Sequence, residues 1–183
     1  VESARKKLIG MRLGVIGAPS DWLISSIASP VAVKQKLGIE IVNIAIDEVV
    51  DAYNAIADTP SDCATLAEKA TTKATKEAVP GAVKLYYALK EVVSRHRLNG
   101  FTIRCFDLLG VVRNTSCYAL ARLNAEGIVA GCEGDIPTLL TMMISKAVTG
   151  VSGFQANPSR IDPKTGEMLV AHCTIPLNMV TRY

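Results

Sequence analysis

Short apolar runs alternate along the chain with longer segments whose apolar residues return at helical spacing, and this alternation predicts an α/β architecture. Residues 11–17 (MRLGVIG) form an apolar run that stops at Gly17, Pro19 and Ser20, as a buried parallel strand entering a loop does. Ser29 and Pro30 suit the N-cap and first position of a helix over 30–37, which Gly38 closes. Residues 39–45 alternate as a strand, and 46–57 carry Val49, Val50, Tyr53 and Ile56 at helical spacing. A helix rich in Ala, Thr, Lys and Glu is expected over 59–78, and Val79-Pro80-Gly81 is expected to separate it from a third helix over 82–98. Arg95, His96 and Arg97 fall in that helix's last turn, followed by Asn99-Gly100. This is a favourable, solvated helix end, because cations stabilise the C-terminal dipole and glycine accepts a left-handed cap.

The second half repeats the rhythm with a strand at 101–106, a helix at 116–124, a strand at 128–132 and a helix at 136–148. Two further extended runs, 152–156 and 168–173, are joined by a turn around Asp162-Pro163-Lys164-Thr165-Gly166. The expected fold is an open, mostly parallel sheet with helices on both faces, of Rossmann or flavodoxin type, over residues 1–175. Residues 176–183 read as the start of a following segment or domain.

Composition narrows the function classes. The chain has 183 residues, 49% of them apolar, which is about one domain's worth. The 20 Lys+Arg and 17 Asp+Glu leave a charge of +3, too small and dispersed for a nucleic-acid footprint. No run approaches a membrane span, so neither nucleic acid nor membrane is expected as a partner. Five cysteines, at 63, 105, 117, 132 and 173, show neither CxxC nor paired metal spacing, which suits a reducing compartment, and Cys105, Cys117, Cys132 and Cys173, in or near strands, read as small buried hydrophobes. A cytoplasmic location follows as the expectation.

In open parallel sheets, ligands bind beyond the carboxyl ends of the strands. The polar or aromatic residues there are Ser20, Asp21 and Trp22 after the first strand, Asp107 after the third, Glu133 and Asp135 after the fourth, and Asn157 after the fifth, with His172 near the end of the last. Ser20, Asp21, Trp22 and Asp107 are candidates for substrate binding; Trp22 could stack on a sugar face or, equally, pack in the core. The GxxG at 14–17 does not open into a helix as a dinucleotide site requires. Asp135 suits an N-cap for the helix beginning at Ile136, but capping leaves Glu133 unexplained and free to ligate a metal or accept a proton.

The runs RLGVIGAPSDWLIS, RCFDLL, CYALARLNAEGIVAGCEGD, CEGDIPTLLTMMI, QANPSRID and LVAHCTIP resemble the L-fucose isomerase and L-arabinose isomerase family, especially its fucose isomerase-like branch. The resemblance covers most of the chain and is looser over 46–95. It implies that Glu133 is a manganese ligand and candidate catalytic base. It also implies that Asn157 stands where the family has a second acidic ligand, and that His172 matches a ligand of the arabinose-type members. A further family His comes from a C-terminal region this chain does not contain.

The implied reaction is aldose–ketose isomerisation through an enediol, which needs a cation to polarise adjacent oxygens and a carboxylate to carry a proton. The implied cofactor is Mn²⁺ or Mg²⁺, weak or absent in the isolated chain, since Asn157 supplies only a neutral amide oxygen. The catalytic candidates are Glu133 and Asn157, and the metal candidates are Glu133, Asn157 and His172. The expected partners are a small-molecule sugar and, in the full-length protein, further copies in a homo-oligomer. The isolated chain is expected to be inactive. The alternative is a non-catalytic module of the same fold that binds sugar or assembles subunits.

Overall fold

The computed structural model describes residues 2–181; Val1, Arg182 and Tyr183 lie outside the described residues. Helix α1 (Glu2–Leu8) leads into β1 (Arg12–Ile16), α2 (Pro30–Leu37), β2 (Glu40–Ile44) and α3 (Ile46–Ala55). Helices α4 (Cys63–Glu68) and α5 (Lys73–His96) precede β3 (Gly100–Ile103), and α6 (Leu109–Val112) and α7 (Cys117–Ala125) precede β4 (Val129–Cys132). Helix α8 (Ile136–Thr149), β5 (Asn157–Ile161) and β6 (Met168–Ala171) complete the order. Of the 176–183 segment, Leu177–Met179 forms a single 3-10 turn packed on α7. No helix among the described residues is long and apolar enough to cross a membrane.

The main sheet is four-stranded and parallel in the order β2-β1-β3-β4, with Gly14 of β1 opposite Val42 on one side and Phe101 on the other. Alternation along β1 explains why both faces need covering. Leu13 and Val15 point into one core with Leu8, Val33, Leu139 and Met143 from α1, α2 and α8. Ile16 points into the other, with Val49, Leu89 and Leu120 from α3, α5 and α7. The open parallel sheet with helices on both faces is therefore present. Chain order reverses between β1 and β3, which places the fold's topological switch point at their carboxyl ends.

Three local expectations give way. Helix α5 runs unbroken through Pro80. A mid-helix proline removes a hydrogen bond and costs about 3 kcal/mol, yet this helix buries Val79, Val83, Leu85, Tyr86, Leu89, Val92 and Val93 along one face. Asn114 Nδ2 also donates to the Ala78 carbonyl at 2.9 Å beside the proline. It approaches over Gly81, where a Cβ would lie 2.7 Å from that nitrogen. At the far end, Arg97 itself takes the left-handed cap (φ 52°), and Gly100 is the first residue of β3. The 101–106 strand stops at Ile103, because Cys105–Leu108 turns into a 3-10 helix.

The 95–97 cluster ties α5 to α3. His96 Nε2–H donates to Glu48 Oε2 at 2.8 Å, and Arg95 Nη1 lies 3.5 Å from the same carboxylate. The His96 hydrogen bond holds the Glu48 carboxyl below its ordinary value of 4.5, against the opposing effect of burial. A depressed carboxyl contributes stability that is fully present above its unfolded pKa and is lost as pH falls through the folded one. Glu48→Gln is thus expected to be less stable than wild type near neutrality by under about 1 kcal/mol. The difference should close when urea titrations are repeated below the ordinary carboxylate range; a gap that persists unchanged there would contradict it.

Candidate functional site

Glu133 follows β4 in the left-handed region (φ 63°), and Gly134 repeats that conformation (φ 65°). Two such residues in succession turn the chain sharply off the strand end and leave the Glu133 side chain half-buried at the carboxyl edge. The turn is clamped from the β1 loop. The Ser20 hydroxyl donates to the Glu133 carbonyl, and Ser26 Oγ donates to the Ser20 carbonyl at 2.6 Å. A Cβ on Gly134 would lie 2.4 Å from the Ala18 carbonyl oxygen, so only glycine lets the two loops touch. Asp135 caps α8 as its position suggested, accepting from Thr138 N at 2.9 Å and from the Thr138 hydroxyl at 2.6 Å.

The other side of the switch point carries a cluster organised by Arg104. Its guanidinium lies 4.7 Å from the Trp22 ring centroid, its Nε is 3.1 Å from Asp107 Oδ1, and its Nη2 is 3.6 Å from Asp21 Oδ1. Trp22 also meets Phe106 with ring centroids 6.0 Å apart. Asp21, Trp22 and Asp107 are thus brought together in one place, whereas buried Ser20 spends its hydroxyl on the Glu133 backbone. Sequence reading missed Arg104 and Phe106. The available signal was Arg104 three residues before Asp107, within reach on one helical turn.

Residues 152–156 form no strand. The extended run begins at Asn157, which opens β5 instead of following it, and β5 and β6 form a separate antiparallel hairpin outside the main sheet. Gln155 fastens the hairpin's base to the free edge of β4: its Oε1 accepts from Cys132 N at 2.7 Å and its Nε2 donates to the Cys132 carbonyl at 3.3 Å. Asn157 is exposed opposite Ala171, so His172 sits at the same end of the hairpin. His172 Nδ1 is 2.7 Å from Thr174 Oγ1. Both anchors, Gln155 on β4 and Cys173 beside Cys117 at the start of α7, bring this end of the hairpin toward the strand end that carries Glu133.

The donor set does not close around an ion. Among the described residues no three His, Cys, Asp or Glu side chains gather where they could hold a metal. Glu133, Asn157 and His172 offer one carboxylate, one neutral amide and one imidazole, which leave a divalent cation largely uncompensated. The cysteines also differ from expectation. Cys105, Cys132 and Cys63 are buried, but Cys117 is half-buried and Cys173 exposed, and four of the five meet in pairs. Nothing in their sequence spacing signals this pairing.

Residues 28–150 match the family model described as the L-arabinose isomerase central domain. A sulfoquinovose isomerase of Clostridium sp. (strain MSTE9) is 28% identical over 117 residues, covering 62% of this chain and 26% of that protein. A second sulfoquinovose isomerase, from Alkalicoccus urumqiensis, is 25% identical over 88 residues, covering 47% of this chain and 20% of that protein. The chain thus matches about a quarter or less of the length of these curated relatives. The family match takes in more than half of the 183 residues, including three of the four parallel strands (β2, β3 and β4) and the Glu133 turn. On that extent of agreement, the chain belongs to the L-arabinose isomerase central-domain family.

Proposed function

We propose that this chain is the central domain of an aldose–ketose isomerase and that Glu133 is its proton-carrying group. The observation that carries the reading is the match over 28–150, which includes the strand end where Glu133 stands. Glu133 also keeps a side chain at a positive φ, a conformation that costs an L-residue about 1–2 kcal/mol. Such strain is concentrated at functional sites. In the proposed step the Glu133 carboxylate takes the proton from C2 of the open-chain aldose and returns it to C1. The hydroxyl proton passes from O2 to O1, so the aldose becomes a ketose with no net gain or loss of atoms.

Asn157 and His172 lie beyond the matched residues, and Asn157 cannot accept a proton. Their part is limited to lone-pair donor atoms near the sugar, an amide oxygen from Asn157 and a ring nitrogen from His172. Mn²⁺ or Mg²⁺ belongs to the proposal for a polypeptide of the relatives' length, with Glu133 contributing one carboxylate. The Trp22, Arg104 and Asp107 cluster is proposed to contact substrate. Exposed Ile24, Ile27, Phe106 and Val111 at the same edge support an enclosure completed by other domains or copies, in a homo-oligomer. A cytoplasmic setting suits the unlinked cysteines. The enzyme is of the fucose isomerase-like branch in this reading, and the named relatives add sulfoquinovose to the sugars worth testing.

The test is an assay of a polypeptide of the relatives' length containing this chain, with L-arabinose, L-fucose and sulfoquinovose, with and without Mn²⁺. Formation of ketose, with exchange of the C2 proton against solvent deuterium, is the expected result. A folded protein that binds one of these sugars without C2 exchange would instead be a non-catalytic sugar-binding module. The 183-residue chain alone is expected to turn over slowly or not at all, because Ile24, Ile27, Phe106 and Val111 leave the strand-end loops open to water.

A further inference from the structure

The two cysteine pairs share one spacing and differ in access. Cys105 and Cys132 lie with sulfurs 3.1 Å apart, both sealed in the core between β3 and β4. Cys117 and Cys173 also lie with sulfurs 3.1 Å apart, but Cys173 is exposed and Cys117 is only half-buried. These two residues are 56 positions apart in sequence and join the start of α7 to the segment that follows β6.

We propose that Cys117 and Cys173 form a redox-active dithiol, a reversible oxidation site that staples the segment carrying His172 to the start of α7. The geometry supplies what the chemistry requires: a nucleophilic sulfur, a resolving sulfur already in contact, and solvent access for the oxidant. Cys117 is the attacking group. The hydrogen bond from Cys173 brings its thiol down to about 6 against the effect of burial, and the Thr115 hydroxyl, 3.2 Å away, and the Cys117 backbone N–H act in the same direction. Of the two thiols, Cys117 is therefore the one more readily deprotonated, and its sulfur is the one already in contact with its partner.

With hydrogen peroxide as oxidant, the Cys117 thiolate attacks one peroxide oxygen. The O–O bond breaks, hydroxide leaves, and Cys117 becomes a sulfenic acid. The Cys173 sulfur then displaces the sulfenic oxygen, which leaves as water after taking up a proton. The net change is two thiols and one peroxide to one disulfide and two waters, the sulfurs losing two electrons and the peroxide gaining them. A dithiol reductant such as dithiothreitol reverses it. The inference is independent of the isomerase reading, since it concerns this chain's own sulfurs.

The experiment treats the reduced protein with dilute hydrogen peroxide at pH 7, alkylates the remaining thiols at intervals, and maps the peptides by mass spectrometry. The expected result is a cross-linked 117–173 peptide that forms at least about tenfold faster than any 105–132 cross-link and disappears with dithiothreitol. Closing so long a loop should also raise the midpoint of thermal unfolding, by on the order of 5 °C. Cys173→Ser, at an exposed position, and Cys117→Ser should each abolish the fast cross-link, so failure of one variant to fold leaves the other. Three outcomes overturn the proposal: both thiols still alkylated after treatment of the folded protein, the buried pair oxidising as fast as the exposed one, or Cys117 passing to sulfinic acid with no cross-link.

Discussion

Glu133→Gln is expected to lower aldose turnover by about 10²- to 10⁴-fold in the polypeptide that carries the complete activity, the range that removal of a positioned general base produces. The substitution is nearly isosteric, and glutamine meets the same left-handed backbone penalty as glutamate, so the turn after β4 (φ 63° then 65°) is unchanged. The Ser20 hydroxyl bonds the residue's backbone carbonyl, which the variant keeps. What disappears is the ability to take a proton from C2. The loss should therefore fall on kcat, with KM little changed. Deuterium should also fail to enter at C2 when the reaction is run in heavy water. Turnover within a few-fold of wild type, with C2 exchange intact, would remove Glu133 from the proposed role.

The second large effect is structural. Gly134→Ala should destabilise the protein by roughly 3 kcal/mol or more, because two costs act at one position. A positive φ penalises any Cβ by about 1–2 kcal/mol. At Gly134 that Cβ would also meet the Ala18 carbonyl oxygen at 2.4 Å, the Ser20 nitrogen at 3.0 Å and the Pro19 Cα at 3.1 Å, all of them backbone atoms or nearly so. Gly166 separates the two contributions. It has φ 73° in the hairpin turn and nothing within 4 Å of a built Cβ, so Gly166→Ala should cost only the conformational part, about 1 kcal/mol. For a chain of this size the difference should appear as a thermal midpoint several degrees lower for Gly134→Ala than for Gly166→Ala. Equal midpoints would mean that the β1 and β4 loops are not in contact.

Local chemistry was legible in the sequence wherever a residue's neighbours along the chain decide its conformation. Ser29 caps α2 by accepting from Ala32 N, and Pro30 opens it. Asp135 caps α8. The short apolar runs at β1 and β4 were readable because a strand covered on both faces has no polar side to show. From these follow the α/β class, the parallel sheet and the place of Glu133 at a strand end.

The tertiary structure decided whatever depends on partners distant in sequence. Pro80 breaks a helix by local rules, yet burial of one face of α5 against α3 and α7 outweighs that penalty. The run at 168–173 read as one more extended element of the sheet domain, but β6 pairs only with β5 in a separate hairpin whose Leu169 and Val170 stay exposed, while the side chain of Gln155 bonds the edge of β4. Arg104 gathers Asp21, Trp22 and Asp107 only because β1 and β3 are adjacent in the sheet. Cys117 and Cys173 meet across 56 positions for the same kind of reason. Periodicity and capping are short-range and leave their mark in a few consecutive residues, whereas a contact between chain segments is set by how the whole core packs.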